Sequence, residues 1–407
     1  MVAQDRKDLL DLNHHPVRVL PAEASRSLLD VAAIDPQETS VNIPVSPSGG
    51  FMEIRRLFVG ASIAALLTGA LLVYAADDPY HLITEIKIGG AGQWDYLSVD
   101  SENRRLYVMH SGANVINVID LDKNTLAGEI TETPGVHGFV AVPSLGKGFS
   151  SNGRENKSSI VDLKTLKTLS KIDTGGNPDA ILYEPKKQEI YTFNGSTANA
   201  TVYSAATGTV VATIGLGGKP ETGVADPSVG RVYVNNEDTS EVKVIDVNTH
   251  AVVATWPLAP GSAPTGMAFD AKNHLLFVGC SNSVMVVMDS TNGKIVSTVP
   301  AGAGIDAAAF DPGTGLAFVS AGGGGAVTIA KADASGKWAA IQTVQTARGA
   351  RTMALDPKTH NIYLAAVEYP PAQPAQPAAA GAPAGRGRGA SVPDSFKVMV
   401  FGTGPAK

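Results

Sequence analysis

Asp95, His137, Asp179, Glu221, Thr265, Asp306 and Arg351 follow one another at intervals of 42, 42, 42, 44, 41 and 45 residues. Spacing this regular marks equivalent positions of a repeated unit, and such positions form a ring if the units close on themselves. His137 would then stand between two carboxylates, Asp95 and Asp179, which favour its protonated form and move its pKa towards values useful to a general acid or base. That makes His137 the best single catalytic candidate, although a lone histidine is more often a plain hydrogen-bonding residue. Arg351 would stand between Asp306 and Asp95. There a guanidinium either grips an anionic ligand or neutralises both carboxylates and pins the structure, the second being the commoner role. Asp95, Asp179, Glu221 and Asp306 offer oxygen ligands to a divalent cation, but they fall in units 1, 3, 4 and 6, so one ion cannot readily reach all four. His110 with His137 would suit a transition metal, without a compact ligand motif to support the pair.

A second register runs three residues past an aromatic position in each unit: His110, Asn152, Asn194, Asn236, Cys280, Ala321 and Ala366. It is expected to share one face with the first ring, and Arg154, Glu237 and Asp238 follow it directly in loops that should rise from the same face. A concave polar mouth of this kind is the default place for a small polar ligand, the alternative being a channel filled with ordered water. Cys280 is the only cysteine. It reads as a small buried residue, or as a nucleophile if a neighbouring cation or base activates it. His250, His274 and His360 fall in turns and are expected to be solvated. No Gly-x-Ser-x-Gly elbow or phosphate-binding loop stands in the chain after residue 75, and Gly322 to Gly325 is a strand connection without the helix that phosphate binding needs.

The elements that must position these residues are strands. Each unit is a short apolar strand ending in an acidic residue, a turn, a second strand of the type Leu-Tyr-Val, a third ending in Asp, a polar turn and a fourth of the type Val-Val-Ala-Thr. Asp226-Pro227, Arg231 to Val234, Val242 to Asp246 and Ala251 to Thr255 show it most cleanly. The position closing the first strand recurs at Asp100, Val142, Glu184, Asp226, Asp270, Asp311 and Asp356, and the ring lies five residues before it. Units of this length with four strands each predict an all-β, seven-bladed β-propeller in which the first strand of every blade lines the central channel. The last unit lacks a fourth strand. The strand from His81 to Ile88 should therefore complete the last blade and close the ring. Tyr107, Tyr191, Tyr233 and Tyr363, with Phe149, Phe277 and Phe318 elsewhere, read as packing residues.

These units resemble the YVTN-type repeats of YncE-like bacterial propellers, Val232-Tyr233-Val234-Asn235 coming nearest to the signature, over residues 80 to 402. The resemblance implies a seven-bladed periplasmic or surface protein. It also implies varied roles, including single-stranded DNA binding, and similar propellers include lactonases and lyases. A repeat motif speaks for fold and says little of function.

The chain of 407 residues carries a formal net charge of -6, which argues against a sequence-independent grip on nucleic acid, and neither a basic stripe nor exposed stacking aromatics are evident. One cysteine excludes an intrachain disulfide and a Cys-rich zinc site, and no haem attachment motif is present. Arg55-Arg56, the uncharged run Leu57 to Val73 and the small residues that follow read as a signal peptide or an uncleaved membrane anchor over 52–75. Residues 1–51 read as an over-extended start, and the Pro/Ala/Gly-rich 370–393 as a disordered loop inside the last blade. The expectation is an exported, periplasmic or secreted propeller that binds a small polar ligand or a macromolecular partner at one face of its channel. The alternative is a metal-assisted, lactonase-like hydrolase or lyase using His137. No cofactor is expected beyond a divalent cation.

Overall fold

The computed structural model describes residues 79–90, 92–370 and 391–406; the segments read above as start, signal and most of the Pro/Ala/Gly-rich loop lie outside the described residues. Seven four-stranded antiparallel sheets, six of them built from consecutive strands, form the seven blades of a propeller. The blades are numbered by their innermost strands: Leu97–Asp100, Val136–Val142, Pro178–Glu184, Pro220–Asp226, Pro264–Asp270, Ile305–Asp311 and Met353–Asp356. Each strand has the alternating, β-branched character that suits a pleated surface covered on one or both faces. The outermost strand of blade 4, Ala251–Pro257, alternates exposed and half-buried residues, whereas the second strand, Arg231–Asn236, is buried from Val232 onwards because neighbouring blades cover both its faces.

The ring closes as the missing fourth strand requires. His81–Lys87 pairs antiparallel with Lys397–Gly402, the third strand of blade 7, with Leu82 opposite Phe401 and Ile86 opposite Val398. One blade thus holds both ends of the propeller, which leaves no long unpaired edge between first and last blades. The packing tyrosines and phenylalanines at 107, 149, 191, 233, 277, 318 and 363 are all buried between blades.

The acidic residue closing each innermost strand organises the turn after it. Asp270 accepts the backbone N–H groups of Lys272 and Asn273, and Asp226 accepts that of Ser228, as short acidic side chains do in Asx turns. Blade 2 has Val142 here, which cannot accept. Its turn is a short 3-10 helix, Pro143–Leu145, ended by Gly146 at φ 62°, a conformation that favours glycine. In blades 6 and 7 the same carboxylates also reach the next blade: Asp311 pairs with His360, and Asp356 with Arg104. The expectation that His250 is solvated is corrected on this point, whereas His360 keeps 41% of its side chain exposed and pairs across the blades as well. Each turn packs against a neighbouring blade that presents a carboxylate, Glu189 at 2.9 Å from His250 Nε2 and Asp311 at 2.8 Å from His360 Nδ1. His274 is exposed.

Candidate functional site

The innermost strands crowd the axis, and small residues make room. A Cβ at Gly266 would come within 2.5 Å of the Ala307–Ala308 backbone, so the approach of blades 5 and 6 depends on that glycine. Hydroxyls from one blade hold the ring positions of the next. Thr352 donates to the Asp95 carbonyl at 2.6 Å and Thr265 to the Ile305 carbonyl at 2.9 Å, while Ser151 donates to the carbonyl of Asp179 and Ser320 to that of Arg351. The ring side chains therefore project from a braced backbone and not from loops.

The first ring converges. His137 Nδ1 lies 2.5 Å from Asp95 Oδ2 and 3.6 Å from Asp179 Oδ1. Arg351 Nε lies 2.7 Å from Asp306 Oδ2, its Nη2 donates to the Trp94 carbonyl at 2.7 Å, and it stands 4.0 Å from Asp95 Oδ1 with the guanidinium over the Trp94 ring. On the far side Lys219 Nζ bonds Glu221 Oε1 at 2.6 Å and also pairs with Glu237. Charges alternate along Asp306, Arg351, Asp95, His137 and Asp179, and again along Glu221, Lys219 and Glu237. The alternation fails where Asp179 meets Glu221. Thr265 is buried and uses its hydroxyl on backbone.

The titrating behaviour follows from this layout. Burial alone would lower the His137 pKa, but the hydrogen bond with Asp95 and the charges of Asp179, Asp95 and Glu221 outweigh it and raise the pKa above its ordinary value. Asp179 and Glu221 are both pushed well above the carboxylate range, first by burial. The charge of Asp95 adds to the shift at Asp179, and the charge of Asp179 adds to it at Glu221. Burial pushes Asp306 up to about 6 against the pull of Arg351.

Tyr96 was not among the residues singled out from sequence. It occupies the position after the ring, which is small in most other blades (Gly138, Ala180, Thr222, Gly266 and Ala307). From blade 1 its hydroxyl reaches blade 4, donating towards Glu221 Oε2 at 3.4 Å and accepting from Thr222 at 3.2 Å. A cavity of about 200 Å3 lies deeper in the channel, lined by residues of all seven innermost strands together with Tyr96. Tyr96 thus separates this cavity from the charged mouth, which becomes a cup with an aromatic floor. Burial, and then the charges of Glu221, Asp179, Asp95 and Asp306, push the pKa of its phenol well above the ordinary value. A bulky residue at a small-residue position of the repeat was the signal available; Lys219, two residues before Glu221, gave none.

The second ring is placed differently from the sequence expectation. His110, Asn152, Asn194, Asn236, Cys280, Ala321 and Ala366 are all buried. Asn152 bonds Ser159 and Glu155 at 2.8 Å, Asn194 bonds Asn199 at 2.8 Å, and Asn236 donates to the Leu216 carbonyl. His110 Nδ1 lies 3.1 Å from Asn117 Oδ1 and its ring packs on Phe396. The reason is positional: a second strand has a partner on either side and a blade over each face, so its side chains face protein and not the channel. Burial pushes the Cys280 thiol up to about 12, which leaves it un-ionised. Arg154 is exposed at the rim, where it donates to Asn114, and the Asp238 carboxylate accepts the Lys219 backbone N–H. For a metal, Asp95, His137 and Asp179 each put one donor atom within 4.8 Å of the others, the one such group found among the described residues.

No protein-family model and no curated protein matches the chain. Among solved structures, the chain is similar to hydrazine synthase of Kuenenia stuttgartiensis, with a TM-score of 0.61 and 14% identity over 69% of this chain and 94% of that one. It is likewise similar to the WD40 β-propeller domain of Doa1, with a TM-score of 0.61 and 12% identity over 79% of this chain and 97% of that one. At such identities the likeness is one of fold alone, and the fold is a seven-bladed β-propeller.

Proposed function

We propose that this protein is a non-enzymatic binding propeller that takes a small polar ligand in the cup at the channel mouth. The observation that carries the reading is the convergence of Asp95, His137, Asp179, Glu221, Asp306 and Arg351, from six blades, above the Tyr96 floor. Charged groups held half-buried on a braced backbone are costly to keep and useful to a ligand that pairs with them. The likeness of its repeats to YVTN-type proteins, with the apolar run at 57–73, supports export to the periplasm or cell surface. The test is a thermal-shift screen of small amines, acids, sugars and nucleotides at neutral pH. A compound that raises the melting temperature by several degrees in the parent protein and not in the Asp306→Asn and Glu221→Gln variants supports the reading. Shifts that survive both substitutions, or none at all, leave the mouth a water-filled channel.

A second reading, a lactonase-like hydrolase or lyase, is favoured by one contact. Asp95 holds His137 Nδ1, an arrangement that orients an imidazole for proton transfer. Its test is hydrolysis of a panel of lactones, with activity expected to vanish in His137→Ala. Nucleic acid is the weakest candidate, because a mouth rich in carboxylates repels phosphate.

A further inference from the structure

Resting on the reading of the mouth as the binding face, we infer that Asp95, His137 and Asp179 hold a divalent first-row transition-metal ion, and that this ion is part of the ligand site. The three residues occupy the equivalent position of blades 1, 2 and 3, and one donor atom from each lies within 4.8 Å of the other two. Their backbones are fixed before any ion arrives: Thr352 bonds the Asp95 carbonyl, Tyr96 N–H donates to the His137 carbonyl at 3.1 Å, and Ser151 bonds the Asp179 carbonyl. Such bracing is what a metal site needs from its scaffold.

The donor set selects the class of ion. One imidazole with two carboxylates suits zinc, manganese, iron or cobalt, whereas calcium and magnesium take oxygen ligands almost alone. Three protein ligands on one side leave the remaining coordination positions open towards the mouth, where water or a ligand oxygen can enter.

The charge pattern of the ring supplies a second, independent argument. Positive and negative groups alternate from Asp306 round to Asp179, and the alternation fails where Asp179 faces Glu221. A divalent ion held by the trio would add positive charge beside the point where the alternation fails. Arg351 and Lys219 already neutralise Asp306 at 2.7 Å and Glu221 at 2.6 Å, and leave the two carboxylates of the trio, Asp95 and Asp179, without a permanent cation in hydrogen-bond contact.

The experiment is titration of the chelator-treated full-length chain with Co2+, followed by visible absorption and calorimetry. Saturation at one ion per chain is expected, with visible bands that reveal the ligand field. His137→Ala and the isosteric Asp179→Asn should each weaken Co2+ binding at least about tenfold, while His274→Ala, which removes an exposed histidine, should not. Zn2+ should displace Co2+, and Ca2+ should not. Circular dichroism of both variants guards against unfolding, and Asp179→Asn keeps the side-chain volume if His137→Ala fails that check. Binding that is undiminished in the two variants, absence of a saturable ion, or ready displacement by Ca2+ would overturn the assignment. If Co2+ fails to bind while the organic ligand screen still gives ring-dependent shifts, the metal falls and the binding face stands.

Discussion

The Tyr96 hydroxyl on blade 1 stands 3.4 Å from the Glu221 carboxylate on blade 4, so one side chain crosses the propeller axis and ties opposite walls of the channel together. It also packs beside the blade 1–2 and blade 3–4 cores. Tyr96→Ala should therefore remove both a tie and a floor. Loss of so much partly buried aromatic surface is expected to cost about 2–4 kcal/mol. Tyr96→Phe keeps the floor and loses only the hydroxyl contact, at about 1 kcal/mol. Denaturant melts of the two variants measure this directly. Equal losses would mean that the ring of Tyr96 contributes nothing beyond its hydroxyl.

Closure of the propeller is expected to depend on Asp356. Its carboxylate, which is wholly buried, accepts from Arg104 at 2.7 Å, from Thr359 at 2.8 Å and from Ser101, tying blade 7 to blade 1. Asp356→Ala leaves the half-buried Arg104 with only the exposed Asp122. A loss of about 3 kcal/mol is expected, as for a buried pair broken on one side. Asp122→Ala should cost less than about 1 kcal/mol, because that partner stands in solvent. Comparable losses for the two variants would refute the assignment of Asp356 as the staple.

Stability should fall as pH rises across the neutral range. Asp306 ordinarily titrates at 3.8 and is pushed up to about 6 in the folded protein, first by burial. The folded state thus holds its proton more tightly than the unfolded chain. Its contribution is fully present below about pH 4 and is lost as pH rises through about 6, an effect on the order of 2–3 kcal/mol. The raised pKa of His137 acts in the same direction, its contribution being lost as pH rises through the folded value. Melting temperatures measured from pH 5 to 8 should decline, and Asp306→Asn should flatten the slope. A rising profile in the parent protein would show that the ring is better solvated than its burial implies.

Much of this architecture was legible from the chain because propeller blades repeat their chemistry. The seven closing positions, from Asp100 to Asp356, carry a turn-forming acid in six blades of seven, and period-two alternation sets the phase of each strand. The same regularity placed Asp95, His137, Asp179, Glu221, Asp306 and Arg351 in one ring. The second register misled for a physical reason. His110 and Asn152 repeat as regularly as the ring residues, but a period cannot tell a channel wall from a blade interior, and the neighbouring blades that bury them are distant in sequence. Lys219 escaped because it lies outside the repeated positions, whereas Tyr96 was detectable only as a bulky exception at a position that is small in most other blades.

The crowding of Asp179 against Glu221 leads to a prediction in which stability and binding move in opposite directions. Asp179 lies 3.6 Å from His137, has no hydrogen-bonded cation, and ionises in the folded protein only against burial and the charge of Asp95. A carboxylate whose ionised form is disfavoured on folding destabilises the protein at any pH where it is charged. Asparagine has the same shape without the charge. Asp179→Asn is therefore expected to raise the melting temperature at pH 8, by an amount equivalent to about 1 kcal/mol, and to leave it nearly unchanged at pH 5, where the parent side chain is protonated. The same substitution should weaken binding at the mouth. Functional residues that are frustrated in the empty protein behave in this way, since the charge that costs stability is the one a cationic ligand relieves. Differential scanning fluorimetry at the two pH values tests the first half and Co2+ titration the second. A variant that melts lower than the parent at pH 8 would show that Asp179 is compensated within the ring and does not call for a cation.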